Sequence, residues 1–160
     1  MTKTVYLGLG SNMGDREEHL RGAVEHLQGP DLRIVRLSPL YETEPVEYTR
    51  QPWFVNQIAV AETELFPMQL LGRLGRVERV LGRLRGIPKG PRVIDIDILF
   101  FGRAVVRTAK LEIPHPRIAD RRFVLMPLAD LAPDLRHPVT RKTIREMLEA
   151  APPNKVRLLK

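Results

Sequence analysis

The sequence contains no cysteine, so it can build neither a disulfide framework nor a thiolate metal site. It has no apolar run approaching the roughly 18 residues that a helix needs to cross a bilayer. Its first residues, Met1-Thr2-Lys3-Thr4-Val5-Tyr6, lack the apolar core of a secretory signal and read as the start of a strand. Together these absences point to a cytoplasmic chain with no membrane segment. Internal repeats, low-complexity tracts and linkers are also missing, so the 160 residues are expected to form one domain spanning 1–160. Acidic residues are in the minority, 19 against 26 Lys and Arg, which leaves a net charge of +7. Such an excess attracts anions, either a nucleic-acid backbone or the phosphates of a small molecule.

The hydrophobic pattern supplies the fold. Thr4 to Leu9 reads as a strand, and Gly10-Ser11-Asn12-Met13-Gly14 as a turn. Asp15 and Glu18 have capping-box spacing ahead of a helix over about 15–28, which Gly29-Pro30 ends. A strand at 32–38 is followed by a long polar loop over 41–52, of a length that is usually functional in a small domain. Phe54 to Thr63 is a strand. Phe66, Leu70, Leu74, Val77 and Leu81 then mark a second helix, with Pro67 in its first turn. Gly82 to Pro91 is a second loop, and Val93 to Phe101 the strongest strand. A short hairpin over 104–113 and helices over 125–131 and 140–150 follow. The tail from about Pro152 is expected to be poorly ordered. The order predicts an α+β fold: a ferredoxin-like βαββαβ core, its antiparallel sheet carrying helices on one face, plus a C-terminal appendage.

Ile94-Asp95-Ile96-Asp97-Ile98 carries the first chemical signal. Alternate side chains of a strand share a face. Ile94, Ile96, Ile98 and Phe100 are therefore expected on one face and Asp95 with Asp97 on the other, their Cα atoms about 7 Å apart. Two carboxylates so placed repel each other, and a divalent cation resolves the conflict; oxygen-only ligands favour Mg²⁺. An exposed strand face neutralised by arginines is the alternative. Just upstream lie Arg83, Arg85, Lys89 and Arg92 among glycines and prolines. Mobile cations facing a metal-binding pair suit phosphoryl-type transfer, although a solvated basic face would look similar. Glu78 has no basic partner at helical spacing and sits at the edge of an apolar stripe, where it either accepts hydrogen bonds from a ligand or makes a tertiary salt bridge. Asn56 lies on the same strand face as Phe54, and its amide can match the edge of a heterocycle. Phe54 and Phe123, each taken alone, are better read as core packing. His115, between Pro114 and Pro116, is either a structural loop histidine or a phosphate contact.

Several ordered segments resemble one family. They are Gly8-Leu9-Gly10-Ser11-Asn12, Tyr41-Glu42-Thr43-Glu44-Pro45, Gln51-Pro52-Trp53-Phe54-Val55-Asn56, Gly90-Pro91-Arg92-Val93-Ile94-Asp95-Ile96-Asp97-Ile98-Leu99, Ile113-Pro114-His115-Pro116 and Arg121-Arg122-Phe123-Val124-Leu125-Met126-Pro127-Leu128. In this order they are similar to the hydroxymethyldihydropterin pyrophosphokinases, over about residues 4–135. The resemblance implies transfer of a diphosphate from ATP to 6-hydroxymethyl-7,8-dihydropterin, with AMP as the second product. It implies two Mg²⁺ ions on Asp95 and Asp97, with Arg83 and Arg92 stabilising phosphate charge. Glu78, Arg85, Ile98, Lys110, His115 and Arg121 would contact ATP. Phe54 and Phe123 would sandwich the pterin, and Asn56, with Thr43, Pro45 and Val46, would read its edge. No nucleic acid, membrane or obligate protein partner is implied. The chain departs from the family at Lys89, where a tryptophan is usual, in a loop between Arg83 and Gly90 about one residue short, and at Lys110, where some members have arginine.

Two rival readings remain at this point. A nucleotidyltransferase would place its Gly-Ser and Asp-x-Asp elements close together, whereas here they are far apart, and it would release pyrophosphate rather than AMP. A ferredoxin-like RNA-binding module would display aromatics beside basic residues on central strands. Two aspartates on such a strand repel phosphate in the absence of metal.

Overall fold

The structure, a computed structural model, describes residues 1–45, 49–82 and 92–159. Its elements run β1 (Lys3–Ser11), α1 (Arg16–Leu27), β2 (Leu32–Leu37), β3 (Tyr41–Thr43), β4 (Phe54–Thr63), α2 (Pro67–Val80), β5 (Asp95–Phe101), β6 (Val106–Arg107), β7 (Glu112–Ile113), α3 (Arg122–Leu131), α4 (Ile144–Ala150) and β8 (Val156–Leu158). A 3-10 turn at Ile118–Asp120 precedes α3. The main sheet has the order β5–β1–β4–β3–β8, with β2 also pairing β4, and each of its strand pairs is antiparallel.

Local chemistry sets the helix starts. The Asp15 carboxylate accepts the N–H of Glu18 at 3.2 Å, satisfying one of the orphan donors of α1. At α2, Gln69 Oε1 accepts the N–H of Phe66 at 2.8 Å, and Pro67 occupies the first helical position, where its missing donor costs nothing. Phe66 itself is 73% exposed, so the apolar stripe of α2 begins at Leu70 and not at the cap.

The pleat then sorts side chains to two sides of the sheet. Val5, Leu7 and Leu9 of β1, Val55, Ala59 and Ala61 of β4, and Ile96 and Ile98 of β5 join Leu20, Ala23 and Leu27 of α1 and Leu70, Leu74 and Val77 of α2 in one core. A second core gathers Ile58, Leu99 and Phe100 with Val124, Leu125 and Leu128 of α3 and Ile144 and Met147 of α4. Helices therefore cover both faces, and the expectation of a single helical face holds for α1 and α2 alone.

Three further expectations are corrected. Phe100 does not share a face with Ile96 and Ile98. The β1–β5 register shifts between Tyr6 and Leu7, so that Tyr6 opposes Phe100 while Leu7 opposes Ile98. The extra residue, Leu99, turns Phe100 toward α3 and α4, as a bulge does. Residues 41–43, expected as loop, form β3 against β4. The tail beyond Pro152, expected to be poorly ordered, returns as β8 and pairs with β3.

The bulge has a measurable consequence. Phe100 meets Tyr6 edge-on, with ring centroids 6.1 Å apart. A double-mutant cycle with Tyr6→Leu and Phe100→Leu, read by urea unfolding, is expected to show a coupling of about 0.5–1.5 kcal/mol. Zero coupling would return Phe100 to the α1/α2 face.

Candidate active site

A cavity of ≈ 320 Å³ opens beside α3, on the sheet face that α3 and α4 partly cover. Strand parity chooses its floor: Gly8 and Gly10 from β1, Phe54, Asn56 and Ile58 from β4, and Asp95, Asp97 and Leu99 from β5. Each residue of this floor is next in sequence to one buried in the α1/α2 core. The walls come from Thr43, Glu44 and Gln51 on one side and from Arg92, His115, Arg121, Phe123 and Val124 on the other.

The aromatic end is ordered by amide chemistry. Asn56 Nδ2 donates to Thr43 Oγ1 at 2.6 Å, which fixes the amide plane beside Phe54. Gly10 lies directly opposite Asn56 in the β1–β4 ladder. A Cβ at position 10 would stand 2.6 Å from Asn56 Oδ1, so any side chain there displaces the amide. Phe123 opens α3 across the cavity, with the Arg121 guanidinium carbon 5.6 Å from its ring centre.

The charged end holds the two aspartates and two arginines. Arg92 Nη1 donates to Asp95 Oδ2 at 2.8 Å. Arg121 Nη1 stands 4.0 Å from Asp97 Oδ2. Burial, reinforced by the charge of Asp95, pushes the Asp97 carboxyl up to about 7, against the pull of Arg121. Arg121 Nε is buried with no hydrogen-bond partner among the described residues. A buried donor left unpaired is costly, and an anion in the cavity would relieve that cost. Among the described residues no group of three or more His, Asp and Glu gathers to hold a metal. A cation at Asp95 and Asp97 would therefore complete its oxygen ligands with substrate and water, as Mg²⁺ commonly does.

Asn12 ties the two ends together, and nothing in its residue type announced it beyond its place in Gly-Ser-Asn. Its Nδ2 donates to Gln51 Oε1 at 2.8 Å and to the Pro52 carbonyl at 3.0 Å. Its Oδ1 accepts the N–H of Arg92 at 2.7 Å, and its own N–H donates to the Arg92 carbonyl at 3.1 Å. Glu44 and Gln51 are also wall residues that sequence reasoning did not single out.

Of the expected site residues, the structure brings Thr43, Phe54, Asn56, Arg92, Asp95, Asp97, His115, Arg121 and Phe123 to this cavity. Glu78 lies on α2, where a carboxylate oxygen accepts the N–H of Ile96 at 2.8 Å; it fixes the start of β5 from the opposite face. Ile98 is buried in the α1/α2 core, and Lys110 is exposed in the turn between β6 and β7. Pro45 follows the wall without lining it. Val46, Arg83, Arg85 and Lys89 lie outside the described residues.

The family model for 7,8-dihydro-6-hydroxymethylpterin-pyrophosphokinase (HPPK) matches residues 6–133. The chain is 42% identical over 153 residues to the 2-amino-4-hydroxy-6-hydroxymethyldihydropteridine pyrophosphokinase of Pseudomonas aeruginosa, covering 95% of this chain and 94% of that one. It is 43% identical over 147 residues to the folic acid synthesis protein fol1 of Pneumocystis carinii, covering 92% of this chain but 20% of that much longer protein. A crystal structure of Plasmodium falciparum HPPK-DHPS with pteroate superposes with a TM-score of 0.75 at 20% identity, over 93% of this chain and 42% of that one. At that identity the likeness speaks for the fold alone.

The state of Asp97 can be read without any substrate. Between its ordinary value of 3.8 and about 7, the folded chain holds a proton that the unfolded chain has lost. Asp97 therefore withdraws stability as pH rises through that window. Asp97→Asn is expected to raise the melting temperature of the metal-free protein at pH 8, with the gain shrinking toward pH 4. Mg²⁺ should raise the wild-type melting temperature at pH 8 and leave that of Asp97→Asn unmoved. A pH-independent difference between the two proteins would refute the assignment.

Proposed function

Because the chain belongs to the 7,8-dihydro-6-hydroxymethylpterin-pyrophosphokinase family, we propose that this cavity transfers diphosphate from ATP to 6-hydroxymethyl-7,8-dihydropterin, a step of folate synthesis. The observation that carries the reading is the meeting, in one cavity, of an Asp95/Asp97 pair and a slot formed by Phe54, Asn56 and Phe123. The first half suits a cation and phosphates; the second suits a flat heterocycle with a hydrogen-bonding edge.

In this reading Phe54 and Phe123 flank the pterin ring, and the Asn56 amide, held by Thr43, reads its edge. Pro45 and Val46 are assigned to the pterin side from their place in the sequence after Thr43 and Glu44. Asp95 and Asp97 would hold Mg²⁺, two ions in the reading that the family resemblance implies, which would neutralise phosphate charge as it develops. Arg92 and Arg121, with Arg83 and Arg85, take phosphate oxygens. His115 is assigned to the nucleotide side, as is Lys110 of the β6–β7 turn; Glu78 and Ile98, on the α1/α2 side of β5, would contribute there through the backbone of that strand. The hydroxymethyl oxygen forms a bond to the β-phosphorus. The bond from that phosphorus to the α,β-bridging oxygen breaks, AMP leaves with the oxygen, and the alcohol proton passes to solvent. Catalysis is then chiefly positioning and electrostatic stabilisation.

The fold supports the same reading. Without the short β3 and β8, we read the strand order β5–β1–β4–β2, with α1 and α2 on one face, as a ferredoxin-like core. The α3/α4 segment is an appendage to it that roofs the other face, within a single domain over 1–160.

Incubation with ATP, Mg²⁺ and 6-hydroxymethyl-7,8-dihydropterin is expected to yield AMP and pterin diphosphate in equal amounts. An Asp95→Ala/Asp97→Ala variant should lose on the order of 10³-fold or more in rate. Release of pyrophosphate in place of AMP would point to nucleotidyl transfer. Gly10→Ala is expected to raise the KM for the pterin on the order of tenfold and to leave the KM for ATP within about twofold, since it displaces the Asn56 amide alone. An equal loss for both substrates would mean that Asn56 does not read the pterin.

A further inference from the structure

The matched family region ends at residue 133, yet the last residues of the chain are built into the back of the pterin slot. β8 runs antiparallel to β3, with Glu42 opposite Arg157 and Thr43 opposite Val156. The pairing extends past both strand ends: Leu159 N–H donates to the Leu40 carbonyl at 2.9 Å, and Glu44 N–H to the Lys155 carbonyl at 3.0 Å. β3 is thus held between β4, which carries Phe54 and Asn56, and the C-terminal strand.

Side chains strengthen this attachment at three points. Arg157 Nε and Nη2 both donate to Glu42 Oε1, at 2.9 and 2.5 Å. Arg16 of α1 donates to Glu42 Oε2 at 2.7 Å and to the Trp53 carbonyl at 3.0 Å. The Arg157 guanidinium also lies over the Trp53 ring, 4.9 Å from its centre. Arg157 and Arg16, in that order, hold the Glu42 carboxyl below its ordinary value, so the cluster is charged at neutral pH. At the other end of the loop, Glu44 Oε1 accepts from Asn154 Nδ2 at 3.1 Å and from Lys155 N–H at 2.7 Å. The beginning of the tail is pinned as well: Arg122 donates to the carbonyls of Ala151 and Pro152 at 2.9 and 3.2 Å.

The partners of these contacts are adjacent in sequence to residues of the slot. Arg122 precedes Phe123, Trp53 precedes Phe54, and Glu42 precedes Thr43, which holds Asn56. Glu44 itself lines the cavity. In a pleated strand, adjacent residues face opposite sides. At β3 the tail therefore grips the reverse of the backbone whose front forms the slot, at Glu44 it holds a wall residue directly, and it spans from the helix that carries one aromatic to the residue preceding the other.

We propose that the C-terminal segment Ala151–Leu159 is a clamp that sets the geometry of the pterin slot, with Arg157 as the positioning residue through which it acts on Trp53 and Glu42. The proposal rests on the reaction described above. Arg157 is not among the residues that line the cavity; it fixes the backbone on which Thr43 and Phe54 stand. A planar ring held by stacking and one amide is sensitive to that spacing, whereas the nucleotide side draws its contacts from β5, Arg92 and Arg121.

The test is steady-state kinetics on the full chain, with each substrate varied while the other saturates. Arg157→Ala is expected to raise the KM for the pterin about three- to fivefold, the scale of one exposed cation–π and ion-pair contact. Its kcat and its KM for ATP should stay within about twofold of wild type. Arg157→Lys, which keeps the charge and loses the planar fork, should recover part of the effect. Glu42→Gln should reproduce the selective rise, because it weakens the same anchor from the other side. Arg157 is 67% exposed, so its removal should leave the fold intact, and melting curves check this. An unmoved pterin KM, or equal losses for both substrates, in an active enzyme overturns the clamp alone. A wild-type chain that forms no AMP overturns the reaction and the clamp together.

Discussion

β1, β4 and β5, the strands that floor the cavity, are each bound on their other face to the α1/α2 core, and this parity constraint governs the site. β1 sends Val5, Leu7 and Leu9 into that core and is left with Gly8 and Gly10 for the cavity. β4 sends Val55 and Ala59 inward and offers Phe54 and Asn56; β5 sends Ile96 and Ile98 inward and offers Asp95 and Asp97. Burying an aliphatic side chain of this kind is worth about 1.5–3 kcal/mol, and a slip of one residue would move the whole set to the wrong face. The apolar residues therefore fix the register, and the chemistry is carried along at every second position. The site need contribute nothing to its own folding.

That independence allows the cavity to be poor in stabilising contacts. Its floor contains two glycines, of which Gly10 exists to leave space for the Asn56 amide. Its charged end keeps Asp97 above the usual carboxylate range and leaves Arg121 Nε without a partner among the described residues. These features make a poor core and a receptive one for a cation and an anion. In the proposed reaction the guanidinium groups of Arg92 and Arg121 exchange aspartate oxygens for phosphate oxygens, while the aspartates turn to the cations.

Much of this was legible in the sequence because it obeys short periods. The Ile-Asp-Ile-Asp-Ile alternation announced an apolar face and an acidic one, and both are where the period puts them. The rule failed two residues later, at Leu99 and Phe100, because a bulge is decided by the pairing with β1 and not by the residues of β5. Three-residue strands such as β3 and β8 were invisible for a related reason. A segment such as Tyr41-Glu42-Thr43 has no apolar run of its own, and its strand conformation comes from neighbours on both sides. Glu78 was recognised as unusual, but its partner, the N–H of Ile96, belongs to the backbone and leaves no trace in residue type. The second helical layer was read as an appendage because nothing in its sequence says which face of the sheet it covers.

Asn12 shows how a site of this kind is made coherent with little material. An asparagine side chain has one acceptor oxygen and two donor hydrogens, and here both of its atoms are engaged with backbone or side-chain groups on two different segments. One segment, Gln51-Pro52, leads into the strand that carries Phe54 and Asn56. The other, Arg92, leads into the strand that carries Asp95 and Asp97. Asn12 sits at 1% exposure directly after β1, the strand between those two. A displacement of either flank would leave a buried amide group unpaired, at a cost of about 1–3 kcal/mol. The two halves of the cavity are therefore tied to each other through the central strand, so the proposed heterocycle slot and phosphate site, built from distant parts of the chain, are held in one fixed relation.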